Sequence, residues 1–383
     1  MIFVIGESTA TPKALLKPKP KPKRVRKNSS SSVSSLQKKQ EPGNPQQVLE
    51  ATEVLLSSSP PPTGVLIKML AAPVNPSDLN QIEGTYPVKG NFSSLPLTAG
   101  PAMAAVGGNE GVGKVLALGS NVSGLQIGDW VVPRRSGQFG TWCTHALVDQ
   151  THVSAVPSEW HAGLNPLHVG MLKVNPCTAY RMLRDFADLR QGDYVIQNGA
   201  NSGVGRSVIQ LAKPLGVRTI NVVRDRPNYN QLESELLALG ADIVVKDKDL
   251  AQLKGQINGP VRLGFNCVGG RMTLAMTKLI SSGGTLVTYG GMSRQPVTLP
   301  TSLLLFKDIS ARGFWMNRWY LDASHEAKMQ DMWRNILRMA REGSFVQQPV
   351  KSVQWTGGVS EVHDLIKGAV NWESGDKHAF VFE

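Results

Sequence analysis

The chain has 383 residues, 41% of them apolar, and a formal net charge of +12. That length suits one long domain or two ordinary ones, and no apolar run approaches the roughly 20 residues needed to cross a bilayer. The charge does not mark a nucleic-acid-binding body: residues 1–40 hold ten Lys or Arg and a single acid, Glu7, a net +9, which leaves +3 for the other 343 residues.

Residues 1–47 read as an arm outside any core. Alternating Lys and Pro in "KPKPKPK" cannot form a helix, since each Pro removes a donor and restricts its neighbour, and the Ser run that follows has no apolar face. A Ser-rich, acid-poor arm suits an organelle transit segment, although the Lys-Pro run departs from the amphipathic helix of such segments. A solvated linker is one alternative. A contact of residues 1–45 with RNA or a large anionic assembly is another.

"TGVLIKMLAAPVNPSDL" predicts a strand followed by a Pro-punctuated loop. "GNEGVGKVLALGSNVSGLQIGDWVVP" alternates apolar residues with Gly and Asn turns, a pattern of short antiparallel strands, and "WCTHALVDQTHVSAVP" continues it. Near Leu167 the rhythm changes. "CTAYRMLRDFADL" reads as a helix and "GDYVIQNGA" as a continuous apolar strand ending in a turn. Helix and strand signals then alternate as far as "GGTLVTYGG", which predicts a parallel sheet covered on both faces. From about Val350 to Glu383 the character is mixed β. The expected class is α/β: a Rossmann doubly wound parallel sheet, residues 171–344, inserted in a β-rich unit formed by 48–170 and 345–383. Cys143, Cys177 and Cys267 lie far apart with no C-x-x-C pair, so neither a structural zinc site nor a disulfide framework is expected. His161 and His168 lack a third ligand nearby and read as structural.

"VIQNGANSGVGRSVIQLA" has strand, Gly-rich turn and helix in the order that receives a pyrophosphate. Gly203 and Gly205 allow the turn, although Val208 holds the third glycine position. About 20 residues on, where one acid usually takes the ribose 2′-hydroxyl of NAD, Asp225 stands between Arg224 and Arg226. Two guanidinium groups suit a 2′-phosphate, so NADPH is the expected cofactor.

The order of the units, with "NPSDLNQIEGTYP", "GGNEGVGKV", "VNPCTAYRML", "NSGVG", "TINVVRDRP", "NCVGG", "VTYGGM" and "FKDISARGFW", resembles the medium-chain dehydrogenase/reductase superfamily. Within it the chain resembles the mitochondrial trans-2-enoyl-thioester reductases of type II fatty acid synthesis, from about residue 48 onward. The resemblance implies a GroES-like catalytic domain, a mitochondrial homodimer, and an enoyl-CoA or acyl-carrier-protein-bound substrate. It makes Tyr86 the proton donor and sets Asn175 near the nicotinamide. Asn201, Ser202, Gly203 and Val204 would lie along the pyrophosphate, with Arg224, Asp225 and Arg226 around the 2′-phosphate. Tyr289, Gly290, Gly291, Met292, Phe314, Trp315, Met316 and Asn317 would line the nicotinamide and substrate crevice, with Lys377 contacting the cofactor. Trp315 and Trp319, four apart, would share one face if the segment is helical; core packing is one reading, and a wall for an acyl chain is the one the resemblance suggests. Two features depart from the family. Met171 and Lys173 stand where small or apolar residues are usual, which puts a cation close to the crevice. The segment "PLTAGPAMAAVGGNEG" is longer than usual. A quinone or alkenal reductase of the same fold, and a relative recruited into a large assembly through its arm, are the competing expectations.

Overall fold

The computed structural model describes residues 2–5, 43–54, 56–57, 59–97, 100–356, 359–371 and 377–382; most of the basic arm, residues 6–42, lies outside them. Six parallel strands form one sheet in the spatial order Ile243–Lys246, Arg218–Val223, Tyr194–Asn198, Val261–Asn266, Thr285–Thr288 and Ser310–Gly313. In chain order this is 3-2-1-4-5-6, and the winding reverses beside Tyr194–Asn198, where a crevice opens at the strand ends. Burial on both faces explains the unbroken apolar runs. Val195 and Leu263 face one core with Val208, Trp333 and Ile336, while Ile196 and Ile220 face the other with Ile280 and Leu286.

The β-rich unit is a seven-stranded sheet. Gly64–Pro73 is its hub, pairing antiparallel with Val112–Leu118, His145–Asp149 and His378–Phe382. Trp130–Pro133 and Val153–Val156 extend one side, and Lys351–Trp355 the other. The last two strands, Lys351–Trp355 and His378–Phe382, run parallel, so the chain must cross over between them; the helix Val359–Ala369 makes that crossing.

Two local expectations need correction, and a third segment gains a structure. The expected loop after Gly64–Pro73 is the helix Pro76–Ile82: Pro76 holds its first position and Asp78 reaches back to accept from the Asn75 N–H at 2.7 Å. The front of the arm does not stand apart, because Ile2–Ile5 forms a strand antiparallel to Leu49–Thr52 and to Gly100–Val106. The longer segment before Gly107 is a hairpin of Ser93–Leu97 with Gly100–Val106.

Candidate active site

The phosphate turn is closely packed around its glycines. Gly199 sits at φ 62°, the Ser202 hydroxyl caps the helix Gly203–Ala212 by accepting from the Gly205 N–H at 3.1 Å, and a Cβ on Gly205 would lie 2.5 Å from the Ala200 carbonyl oxygen. A Cβ on Gly203 would press on Gln348 and come 2.8 Å from Asn175 Cγ. Asn175, the first residue of the helix Asn175–Asp185, is thus brought against the turn. Val204 turns its side chain into the core, so only its backbone faces outward.

At the end of the second strand the acidic residue is already committed. Asp225 pairs with Lys248 at 2.6 Å and with Lys246 at 3.2 Å, and these lysines hold its carboxyl below the usual range. Arg224 and Arg226 have no ion-pair partner among the described residues. Burial, and then the like charge of Arg224, lower the pKa of Arg226. Two arginines thus flank an acid already paired with two lysines, a cluster with net positive charge. With the glycine turn, these residues fit a 2′-phosphorylated dinucleotide. Lys246 and Lys248 were missed from sequence, although "VVKDK" sets them at the end of the neighbouring strand.

Tyr86 joins the two units. Its hydroxyl accepts from Trp315 Nε1 at 2.8 Å and from Asn317 Nδ2 at 3.3 Å, and its ring meets Trp315 edge-on. With both acceptor directions used, the O–H must point elsewhere. Burial raises its pKa, the Trp315 N–H works against that, and Asp78 adds to the rise, so the group stays protonated at neutral pH. Asn317 Oδ1 in turn accepts from Ser136 Oγ at 2.9 Å. Trp315, Asn317 and Ser136 line a cleft of about 250 Å³ with Val88, Arg135 and Leu321.

Behind this cleft lies a polar cluster that sequence reasoning did not assign: Asn75, Asp78, Asn109 and Glu110, all buried. Lys377 donates to Val74 O at 2.8 Å and to Asn75 Oδ1. Asn175 Nδ2 reaches Asn75 Oδ1 at 3.5 Å.

Other expected residues fall differently. Met316 is buried among core residues, and Phe314 packs edge-on against Phe186. Trp319 does not share the cleft with Trp315: it is buried, stacked on His325 and under the Arg181 guanidinium, because the helix Met316–Trp319 turns it inward. Lys173 does not charge the crevice. It is buried with its ammonium on the carbonyls of Pro133 and Arg134 and over the Tyr320 ring, and burial pulls its pKa down to about 8. In "YGGM", Tyr289 and Gly290 lie beside Cys267, Gly291 is open, and Met292 is half exposed. Just beyond, Arg294 spans to Glu83 at 3.1 Å. His161 stacks on Trp130. Burial pushes the Cys143 and Cys177 thiols up to about 12 and raises that of Cys267; all three are buried and free. Among the described residues no three His, Cys, Asp or Glu side chains gather as metal ligands would.

Two family models match the chain: the alcohol dehydrogenase GroES-like domain over residues 61–172 and zinc-binding dehydrogenase over residues 203–339. The mitochondrial enoyl-[acyl-carrier-protein] reductase of Caenorhabditis elegans is 45% identical over 307 residues, 80% of this chain and 84% of that protein. The Homo sapiens protein of the same name is 47% identical over 287 residues, 74% of this chain and 72% of its own. The solved complex of Etr1p with NADP and crotonyl-CoA superposes with a TM-score of 0.81 at 33% identity, covering 89% of this chain and 97% of that one. The mitochondrial 2-enoyl thioester reductase Etr1p/Etr2p heterodimer from Candida tropicalis does so with a TM-score of 0.81 at 34% identity, over the same shares of the two chains.

Proposed function

Because the chain belongs to the family of mitochondrial enoyl-[acyl-carrier-protein] reductases, we propose that it reduces trans-2-enoyl thioesters, carried on coenzyme A or acyl carrier protein, in mitochondrial type II fatty acid synthesis. Within that role, the observation that carries the assignment of a proton donor is the Tyr86 hydroxyl, which accepts N–H bonds from the two cleft residues Trp315 and Asn317 while keeping its own proton. NADPH, when bound, supplies a hydride for the β-carbon of the enoyl thioester. The residues that would hold it are Asn201 to Val204 at the turn, Arg224 and Arg226 with Lys246 and Lys248 at the 2′-phosphate, and Asn175, Tyr289 to Met292 and Lys377 toward the nicotinamide.

The chain's own contribution to the chemistry is a proton. As the double bond's electron pair shifts toward the thioester, Tyr86 gives its proton to Cα, and water later restores it. Trp315 Nε1 and Asn317 Nδ2 already point at the oxygen that becomes negative, so the phenolate forms without reorganisation of its donors. The test is NADPH oxidation with a medium-length trans-2-enoyl-CoA against a quinone. Turnover of the thioester is expected, and turnover of the quinone alone would reject this function in favour of the quinone reductase.

A homodimer is part of the proposal. The outermost strand of the six-stranded sheet, Ser310–Gly313, is exposed throughout, and the preceding helix Thr301–Lys307 shows Leu305 at 68% and Phe306 at 83% exposure. An open edge flanked by large apolar side chains suits a second copy. The recruitment of the arm to RNA or a large assembly rests on the composition of residues 1–40 alone.

A further inference from the structure

One buried carboxylate has no part in the chemistry above, yet it ties three distant segments together. Glu110 is 2% exposed. Its Oε1 accepts from the Val174 N–H at 2.7 Å and its Oε2 from Asn75 Nδ2 at 2.8 Å, while its backbone carbonyl accepts from the Thr141 hydroxyl at 2.8 Å. Val174 immediately precedes the helix that starts with Asn175. Asn75, held by Glu110 through its amide nitrogen, offers its amide oxygen to Lys377 and to Asn175. Two groups expected at the cofactor, Asn175 near the nicotinamide in one unit and Lys377 in the other, therefore depend on the same carboxylate.

We propose that Glu110 is a positioning residue, holding Asn75, Asn175 and Lys377 in the arrangement that receives the nicotinamide end of the cofactor. This inference rests on the NADPH-dependent function above.

Its chemistry makes it sensitive to acid. A carboxylate accepts from both donors, whereas a protonated carboxyl turns an O–H toward one of them and breaks that tie. Burial pushes Glu110 up to about 7, against the pull of Lys377, the Asn75 amide and the Val174 N–H; Asp78 adds to the rise. The other groups that face it are Lys173, Cys177 and Tyr320, all buried or partly so. The two bonds that Glu110 accepts are complete above neutral pH and fail as pH falls through 7, while Lys377, pulled down to about 8 by burial, loses its charge at the upper end of the range.

The experiment is a fluorescence titration of NADPH onto the full chain and onto Glu110→Gln between pH 6 and 8.5, with melting temperatures alongside. The unmutated protein should lose about three- to tenfold in affinity from pH 8 to pH 6, the size of one ordinary hydrogen bond. Glu110→Gln should bind at the weaker level throughout, with no step near neutrality, and should lower kcat while leaving KM for the thioester near its usual value. An identical step in both proteins would assign it to the nucleotide's own phosphate and overturn the proposal. So would a variant that melts earlier but keeps the step, since that marks a purely structural role. The absence of any step in the unmutated protein overturns it whether or not the variant folds. If the unmutated protein binds no NADPH at pH 8, the assigned function itself fails and the inference falls with it.

Discussion

Tyr86 is worth most at the scale of a single residue, because its role can be separated from its packing. Tyr86→Phe keeps the ring against Trp315 but strips the proton and leaves two N–H donors unpaired. We expect kcat to fall by ~10²–10⁴, the usual contribution of a general acid, with NADPH affinity unchanged in a titration. A turnover number equal to that of the unmutated protein would remove Tyr86 from the chemistry. At the other end of the crevice, Arg224→Ala with Arg226→Ala should weaken NADPH by several-fold to about a hundredfold, as loss of charge-assisted bonds of about 1.5–3 kcal/mol implies. NADH binding should barely move, because it has no 2′-phosphate; equal weakening of both nucleotides would sink the assignment. The arginines were legible because they flank a position of known spacing. Lys246 and Lys248 were not, since only the parallel register that sets Val223 beside Lys246 brings them to Asp225.

Among the elements, the strand–turn–helix around Gly203 and Gly205 was read correctly from its order alone, and the structure shows why each glycine is needed. A methyl group on Gly205 meets backbone, the Ala200 carbonyl, which cannot move without breaking the turn. One on Gly203 meets the ends of Gln348 and Asn175, which can swing. Gly205→Ala should therefore lower the melting temperature and abolish NADPH binding, whereas Gly203→Ala should stay folded and lose affinity only partly. The reverse ranking, measured by thermal denaturation and nucleotide titration, would mean the turn is not held as described. The helix Pro76–Ile82 was hidden because Pro in "VNPSDL" suggests a loop, yet Pro is at home in a first helical turn when an acid three residues past the cap reaches back. Trp319 was misplaced for a related reason. Four-residue spacing fixes a shared face only within a helix, and Trp315 is the residue before this one begins.

For the whole molecule, the alternation of apolar strands and helices gave away the parallel sheet, but no local pattern could reveal the cluster of Asn75, Asp78, Asn109 and Glu110. Those residues meet only when the loop before one helix, the start of a distant strand and the entry to the nucleotide-binding unit are folded together. The exposed edge at Ser310–Gly313 is a property of the same scale. Phe306→Asp, with its side chain already 83% exposed, should cost the single chain little and break an association across that edge. Sedimentation should show the unmutated chain as a dimer and the variant shifted toward monomer. A variant that remains dimeric would place the contact elsewhere.

The three buried thiols matter for a reason that concerns the substrate rather than the fold. A 2-enoyl thioester is a Michael acceptor: a thiolate can add to its β-carbon, Cα then takes a proton, and the adduct is a covalent thioether. A protein that gathers such electrophiles beside its own side chains risks alkylating itself, and Cys267 lies next to Gly199 of the nucleotide turn. With the Cys143 and Cys177 thiols pushed up to about 12 and that of Cys267 raised, all three stay protonated at neutral pH, and burial closes the approach as well. Folded protein held with excess trans-2-enoyl-CoA in the absence of NADPH should keep its intact mass, while urea-unfolded protein should gain adducts at up to three sites.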